Sequence, residues 1–505
     1  MQGSSTSILH FVPSDPTSTS VLDFLSPTPR GTSPVHDRRL HAGDLALRAG
    51  GDRLLVADTV AAVVESLVQA WRQVRMELLV PLLRGAVVAC MVMSVIVLAE
   101  KVFLGVVSAV VKLLRRRPAR LYRCDPVVVE DDDEAGRASF PMELVRKECE
   151  RWGKKGINVK YETRKDRAGY KAGNLREGMR RGYVQGCEFV AMFDADFQPP
   201  PDFLLKTVPF LVHNPRLALV QTRWEFEAGS SLCNFFGYNG TAGVWRRQVI
   251  DESGGWEDRT TAEDMDLALR AGLLGWEFVY VGSIKVKSEL PSTLKAYRSQ
   301  QHRWSCGPAL LFKKMFWEIL AAKKVSFWKK LYMTYDFFIA RRIISTFFTF
   351  FFFSVLLPMK VFFPEVQIPL WELILIPTAI ILLHSVGTPR SIHLIILWFL
   401  FENVMALHRL KATLIGFFEA GRANEWIVTQ KLGNIQKLKS IVRVTKNCRF
   451  KDRFHCLELF IGGFLLTSAC YDYLYRDDIF YIFLLSQSII YFAIGFEFMG
   501  VSVSN

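Results

Sequence analysis

Long apolar runs bracket a polar centre in this chain, and their lengths set the expected architecture. Six of them approach the roughly 20 residues that carry a helix across a bilayer. They lie within Gly85–Val111, then at Ile343–Phe363, Leu370–Val386, Ile392–Leu407, Leu457–Leu474 and Ile479–Met499, divided by Pro, Gly or charged residues. The first is interrupted by Glu100-Lys101 and lies too far from Met1 to be a secretory signal. Glu402 and Asn403, inside the fourth run, are expected to face protein or water, because lipid would penalise them. Between the first and second runs, residues 124–290 alternate short β-prone runs with helical stretches, the rhythm of an α/β domain. Ile157–Tyr161, Phe189–Phe193 and Leu217–Trp224 read as strands, and a helix is expected from near Leu175.

Composition supports a polytopic membrane protein: half of the 505 residues are hydrophobic and 13% are aromatic. The net charge of +14 sits beside the apolar runs, at Arg115–Arg117, Lys323-Lys324, Lys329-Lys330, Arg341-Arg342 and Lys437–Lys451. Basic flanks of this kind suit anionic lipid headgroups. Nucleic acid is not an expected partner, since no basic stretch interleaves with a soluble binding module. The nine cysteines show neither metal-ligand spacing nor a disulfide framework, and Cys90, Cys456 and Cys470 read as packing residues in or beside apolar runs. Residues Met1 to Gly51, rich in Ser, Thr and Pro, read as a disordered tail.

Candidate chemistry begins at the end of the second strand. On an extended strand Asp194 and Asp196 would point to one side and could share a hard divalent cation, Mg²⁺ or Mn²⁺. Alone, the pair reads equally as a solvated strand end before the Gln198–Pro201 turn. Upstream, the loop Arg164–Asn174 puts glycines, Lys171 and other basic residues before a helix, an arrangement able to hold an anion. Downstream, Phe235–Gly243 sets aromatic residues among glycines that let a backbone approach a ligand. Asp264, in Thr260–Asp266, is a candidate base, although carboxylates also favour helix starts for structural reasons. Gln300, Arg303 and Trp304 have helical spacing that brings Gln300 and Arg303 to one face. Arg303 can fork onto phosphate oxygens, while a tryptophan at a membrane rim serves as often as an interface anchor.

Taken together, Asp194-Ala195-Asp196, Glu263-Asp264 and Gln300–Trp304 resemble the D,D,D,QxxRW pattern of processive inverting glycosyltransferases, the cellulose synthase superfamily. Phe236–Arg246, Gln301–Pro308 and Val386–Ser391 narrow the likeness to the plant cellulose synthase-like A group, over roughly Trp71 to Arg476. The resemblance implies a GT-A-like α/β catalytic domain, here truncated, on a multi-span α-helical membrane domain. It implies β-1,4 transfer of mannose and glucose from GDP-mannose and GDP-glucose to a growing mannan or glucomannan chain, at a multi-pass Golgi membrane, for plant cell-wall hemicellulose. By the same likeness Asp194 and Asp196 hold Mg²⁺ or Mn²⁺, Asp264 is the base, Lys171 lies near the donor diphosphate, and Gln300, Arg303 and Trp304 line the diphosphate and acceptor sites. Glu425–Gly433 resembles a gating loop, with Thr429 and Lys431 reaching the diphosphate on closure. The expected partition is a tail (1–70), a first transmembrane region (71–118), the catalytic domain (119–310), interface helices (311–342) and a C-terminal bundle (343–505) with the gating loop at 421–434.

Two departures from the family stand out. Phe140–Val145 begins like the family's first strand but runs directly into Arg146–Trp152, which resembles a later helix, so the first βα unit and its nucleotide-contacting aspartate are missing. A second segment is missing between Phe226 and Gly229, and the acidic run Glu130–Glu134 lies too early to replace the lost aspartate. Reduced stability and impaired donor binding are therefore expected. A β-1,4-glucan (xyloglucan backbone) synthase and an inactive partner subunit of an intact synthase stay open as alternatives, as does self-association.

Overall fold

The structure, a computed structural model, describes residues 60–113, 122, 142–156, 159–164, 168–224, 236–288, 291, 293–369, 371–375, 377–379, 393–418, 454–476 and 479–498. The chain divides into two units, Met1–Arg75 and Met76–Asn505. In the first, helix begins at Val60, inside the stretch expected to be tail; Val60–Ala70 is rich in Val, Ala and Leu, an apolar run that favours helix over disorder. The remaining expected tail lies outside the described residues, as do Arg115–Arg117, Glu130–Glu134, Phe226–Gly229, most of Leu370–Val386, Val386–Ser391, the gating loop with Thr429 and Lys431, and Lys437–Lys451.

The second unit contains a four-stranded mixed sheet. β1 (Phe189–Met192), β2 (Leu217–Trp224), β3 (Gly243–Arg246) and β4 (Glu277–Val286) lie in the order β1-β3-β2-β4. β3 pairs antiparallel with both β1 and β2, through Ala191 opposite Val244 and Val220 opposite Val244, and β2 pairs parallel with β4. β2 is buried from Leu217 through Thr222, as a central strand covered on both faces must be. One face packs Leu217, Val220, Val244 and Val286 against Phe203 and Leu211 of the helix Phe203–His213. The other carries Leu219, Trp245 and Phe278 against Leu267 and Ala271 of α1 (Glu263–Leu273). Leu311, Met315 and Ile319 of α2 (Leu294–Ala321) complete this cluster, so the helix bearing Gln300–Trp304 is part of the core that backs the sheet.

Of the expected strand Ile157–Tyr161, the described residues 159–161 carry no strand structure. Met142–Val145, which begin like the family's first strand in sequence, belong to the helix Met142–Lys154, where Arg146–Glu150 and Glu148–Arg151 pair at helical spacing. A strand needs a ladder partner. Among the described residues β1 pairs only with β3, which leaves it at the sheet edge. The predicted helix near Leu175 starts earlier, at Tyr170, after Gly169 takes a left-handed turn (φ 66°).

Among the described residues, two helices are long and apolar enough to cross a membrane, Val60–Glu100 and Phe327–Phe362. The first reaches further toward the N-terminus than the expected Gly85–Val111. The second carries π-type turns at Tyr332–Ile344 and Phe352–Leu356 and runs through the expected boundary at 342. Ile395–Phe418, Cys456–Tyr475 and Phe480–Gly495 are further apolar helices at the sites of expected spans. Val87, Cys90, Phe352, Val404, Leu465, Leu484 and Tyr491 join these helices in one apolar cluster. Asn403 is buried and donates Nδ2–H to Gln487 Oε1 (3.0 Å), while Glu402 pairs with Arg409; both polar residues face protein, as expected. Cys90 is buried, but Cys456 and Cys470 are exposed on their helix, because a helix that packs along one face turns its other residues outward.

Candidate active site

Three segments distant in sequence meet at Gly240. The loop leading into β3 is tied to β2 by Gln221, whose Nε2 donates to the carbonyls of Thr222, Thr241 and Ala242 at 3.0–3.1 Å, and by the Thr222 hydroxyl, which donates to Ala242 O. These bonds satisfy a loop backbone that cannot join the ladder. They hold Gly240 and Ala242 in left-handed conformations (φ 80° and 53°). A Cβ at Gly240 would lie 2.8 Å from Asp264 Oδ2 and 3.4 Å from Lys171 Nζ. Glycine is required there twice over, by backbone angle and by space.

Lys171 enters from the second position of α3, defined here as the helix Tyr170–Met179. Its Nζ donates to Asp194 Oδ1 (2.6 Å) and to Gly240 O (2.9 Å). The turn beneath it is fastened by Arg164, which donates to Ala168 O and Tyr170 O at 2.8 and 2.9 Å. Asp194 receives a second anchor: its backbone N–H donates to Thr241 Oγ1 (2.9 Å). Asp264, on the first turn of α1, has its Oδ1 accepting from Met265 N (2.8 Å) and its Oδ2 beside Gly240. The sequence-nominated Asp194, Lys171 and Asp264 therefore share one site.

Charge in this site is concentrated and poorly solvated. Burial pushes Asp264 above the ordinary carboxylate range, with Asp194 adding to the shift and Lys171 opposing it. Glu263, which is buried, is raised by its burial and then by the Asp264 charge. Burial works against the Lys171 ammonium, yet Asp194, Glu263 and Asp264 outweigh it and leave its pKa raised. Burial lowers the Arg303 pKa, and the negative charges of Glu263 and Asp194 oppose that shift.

α2, which carries Arg303, presses against the segment that carries Asp264. At Gly307, one turn beyond Arg303 on the same face, a Cβ would lie 2.9 Å from Thr261 Oγ1 and 3.2 Å from Ala262 Cβ. Gln300, half-buried, lies one turn earlier on that face, whereas Trp304 is 42% exposed and stands at the rim. Asp266, fully buried, accepts from Arg259 Nε (2.8 Å) and from Arg270 Nε and Nη2 (3.0 and 2.7 Å). Arg259 continues to Glu318 on α2 (3.0 Å).

The metal expectation needs one correction. β1 ends at Met192, and Phe197 N donates to Asp194 O (2.9 Å), so Asp194–Phe197 is a turn and the extended-strand argument for placing Asp194 and Asp196 on one side does not apply. Among the described residues no group of three or more Asp, Glu, His or Cys side chains gathers into a cation site, and Asp194 Oδ1 is engaged by the Lys171 ammonium.

Gln221, Tyr238, Thr241, Glu263 and Asp266 were not separately identifiable as site-builders from sequence. For Glu263 and Asp266 the signal was present, acids flanking the candidate base; for Gln221 the only signal was an amide inside an otherwise apolar strand. Tyr238 is fully buried, its ring 5.5 Å from that of Trp245, and burial together with Asp264 and Asp194 raises its pKa well above the ordinary phenol value.

Comparison with known proteins agrees with this geometry. A family model described as Glycosyl transferase family group 2 matches residues 225–401, a span that takes in Asp264, Gln300, Arg303 and Trp304. The chain is 88% identical over 574 aligned positions to a probable glucomannan 4-beta-mannosyltransferase 6 from Oryza sativa subsp. japonica, covering 100% of each. Since the chain has 505 residues, 69 of those positions have no counterpart in it, and 88% of 574 is about 505, so the difference lies almost wholly in the omitted positions. It is also 49% identical to glucomannan 4-beta-mannosyltransferase 1 of the same organism, over 86% of this chain and 97% of that one. A solved mannosyltransferase from Pyrobaculum calidifontis, in complex with GDP-Man and Mn2+, aligns over 54% of this chain and 73% of its own at 16% identity and a TM-score of 0.36, too remote a likeness to carry an argument. With near-complete coverage by its plant relatives and a glycosyltransferase motif set gathered around Gly240, the chain belongs to the glucomannan 4-beta-mannosyltransferase family, the cellulose synthase-like A group of family 2 glycosyltransferases.

Proposed function

We propose that the chain is a membrane-bound inverting β-1,4-mannosyltransferase, adding mannose and glucose from GDP-mannose and GDP-glucose to a growing mannan or glucomannan chain. The observation that carries this reading is the meeting of Asp264, Lys171 and Asp194 at Gly240. Asp264 takes the proton from the acceptor hydroxyl as that oxygen attacks the anomeric carbon from the face opposite the nucleotide. Its raised pKa suits the task, because a base held above the ordinary carboxylate range accepts a proton more readily. Lys171 and Arg303 offset charge on the departing diphosphate, with Gln300 beside them, and Gly240 lets the reacting groups come close without a side chain between them. By the family pattern Asp194 and Asp196 would hold a divalent cation, which would supply further neutralisation of the leaving group. Trp304, at the rim, offers an aromatic face to the acceptor sugar, and Thr429 and Lys431 close over the donor.

The family's plant relatives and the two helices long enough to span a bilayer support a multi-pass enzyme of the Golgi membrane, making hemicellulose for the cell wall. The test is incorporation of radiolabel from GDP-mannose into polymer by membranes that contain the chain, with GDP-glucose as competing donor. Asp264→Asn is expected to cut incorporation by about 10²–10⁴-fold; equal incorporation by this variant would remove Asp264 from the mechanism. A second reading, a subunit that assembles with an intact synthase without transferring sugar itself, is favoured by the 69 omitted positions. Activity that appears only on co-expression with an intact relative selects that reading.

A further inference from the structure

We infer that Arg298, His408 and Glu458 are positioning residues for the transfer reaction: together they fix the rotation of α2 about its axis, and so the presentation of Gln300 and Arg303. The inference rests on the glycosyl-transfer reading and extends it to residues outside the site around Gly240. Its basis is a cluster where α2 meets two apolar helices. The Arg298 guanidinium donates to Glu458 Oε1 on Cys456–Tyr475, the two side chains being 12% and 9% exposed. His408, on Ile395–Phe418, meets the same arginine twice: its Nε2 lies 2.9 Å from Arg298 O and its Nδ1 3.5 Å from Arg298 Nη2. A carbonyl can only accept, so Nε2 carries the proton and Nδ1 turns its lone pair to the guanidinium.

Helix geometry gives α2 two distinct faces. At about 3.6 residues per turn, Arg298, His302 and Cys306 share one stripe, while Gln300, Arg303 and Gly307 lie on the other side. The first stripe rests on Ile395–Phe418: the rings of His302 and His408 are 5.9 Å apart, and a Cβ at Gly416 would strike the Cys306 carbonyl. The second meets the segment before Asp264, at Thr261 and Ala262. Apolar helix faces can turn past one another at small cost, whereas a planar guanidinium held by a carboxylate and an imidazole has one geometry. A buried ion pair adds little net stability, because desolvation offsets its attraction, and its best-attested use is to fix register. The register fixed here is that of the helix carrying the two groups that the transfer reading sets beside the departing diphosphate.

Cys306, 2% exposed on the first stripe, reports the seating of α2 without turnover. On the detergent-solubilised full chain its alkylation by N-ethylmaleimide is followed by mass spectrometry, beside melting curves and incorporation of radiolabel from GDP-mannose. Arg298→Met/Glu458→Leu removes both charges together and is expected to melt no lower than the wild type. The same variant is expected to alkylate at Cys306 at least about tenfold faster and to incorporate mannose roughly a hundredfold more slowly. Arg298→Gln/Glu458→Gln serves in its place should that variant not fold. Arg298→Lys, which keeps a cation facing Glu458, is expected to leave Cys306 protected. His408→Phe, which keeps a ring but neither contact, is expected to speed alkylation about fivefold. Unchanged protection of Cys306 in the double variant overturns the inference, as does faster alkylation with undiminished transfer. Equal alkylation in Arg298→Lys and the double variant overturns the part given to charge, and unchanged protection in His408→Phe removes His408. A wild-type chain that incorporates no mannose while its variants show the Cys306 response loses the transfer reading and keeps the clamp.

Discussion

At the scale of single residues, the site depends on how little room surrounds Gly240. In Gly240→Ala the added methyl meets the Asp264 carboxylate at 2.8 Å on a backbone turned to φ 80°, so Asp264 or the loop must move. Mannose incorporation is expected to fall by roughly a hundredfold or more, the cost of displacing a reacting group by about an ångström; near-normal incorporation would show that the loop lies outside the reacting centre. Glu263 offers a second test, through pH. A buried carboxyl with a raised pKa binds its proton more tightly in the folded chain than in the unfolded one, so its contribution to stability falls as pH rises from the ordinary carboxylate value through the raised one. Glu263→Gln removes that loss. Melting curves are expected to show the variant gaining on the wild type as pH increases, with the gap levelling off above the raised pKa of Glu263, and a gap that widens toward acid would contradict the assignment. Asp194, Asp264 and Lys171 were legible in the sequence because their neighbours match a known pattern. Gln221 was not, since nothing in a strand's sequence announces that one amide will hold two carbonyls of a segment that follows it by about twenty residues.

At the scale of elements, α1 owes its position to one buried acid. Asp266 is held between Arg259 and Arg270, and Arg270 also bonds the carbonyls of Ser253 and Gly255, so the loop before the base and the helix after it are one hydrogen-bonded unit. Asp266→Ala would leave two guanidinium groups without their shared partner, at a cost of about 3–5 kcal/mol. The expected result is a clear drop in melting temperature in detergent, and an unchanged melting curve would mean the clamp is not structural. Strand assignments show where sequence reading reached its limit. Phe189–Met192 and Leu217–Trp224 form as their apolar runs predict, because each has a ladder partner. Val159 and its neighbours carry the same β-prone pattern yet form no strand, since propensity expresses itself only where another strand is there to receive it.

At the scale of the whole molecule, 69 positions that a rice relative has are lacking in this chain. Restoring the relative's missing segments is expected to raise GDP binding and mannose incorporation by at least about tenfold, since a sheet that regains its first strands regains the crevice at their ends. Equal activity with and without those segments would show that the shortened sheet suffices. The helical part was legible from apolar run length, as in Ile395–Phe418 and Cys456–Tyr475, but their polar contacts were not, because Asn403–Gln487 and Arg298–Glu458 join residues far apart in the chain. One contact ties the two parts together: a Cβ at Gly416 would strike the Cys306 carbonyl, and the next residue along α2, Gly307, touches the segment just before Asp264. α2 is thus closely packed on both sides, against Ile395–Phe418 at Gly416 and against Thr261 and Ala262 at Gly307. A tilt of Ile395–Phe418 would press through Gly416 on Cys306, and so on the neighbouring Gly307 and the segment just before Asp264.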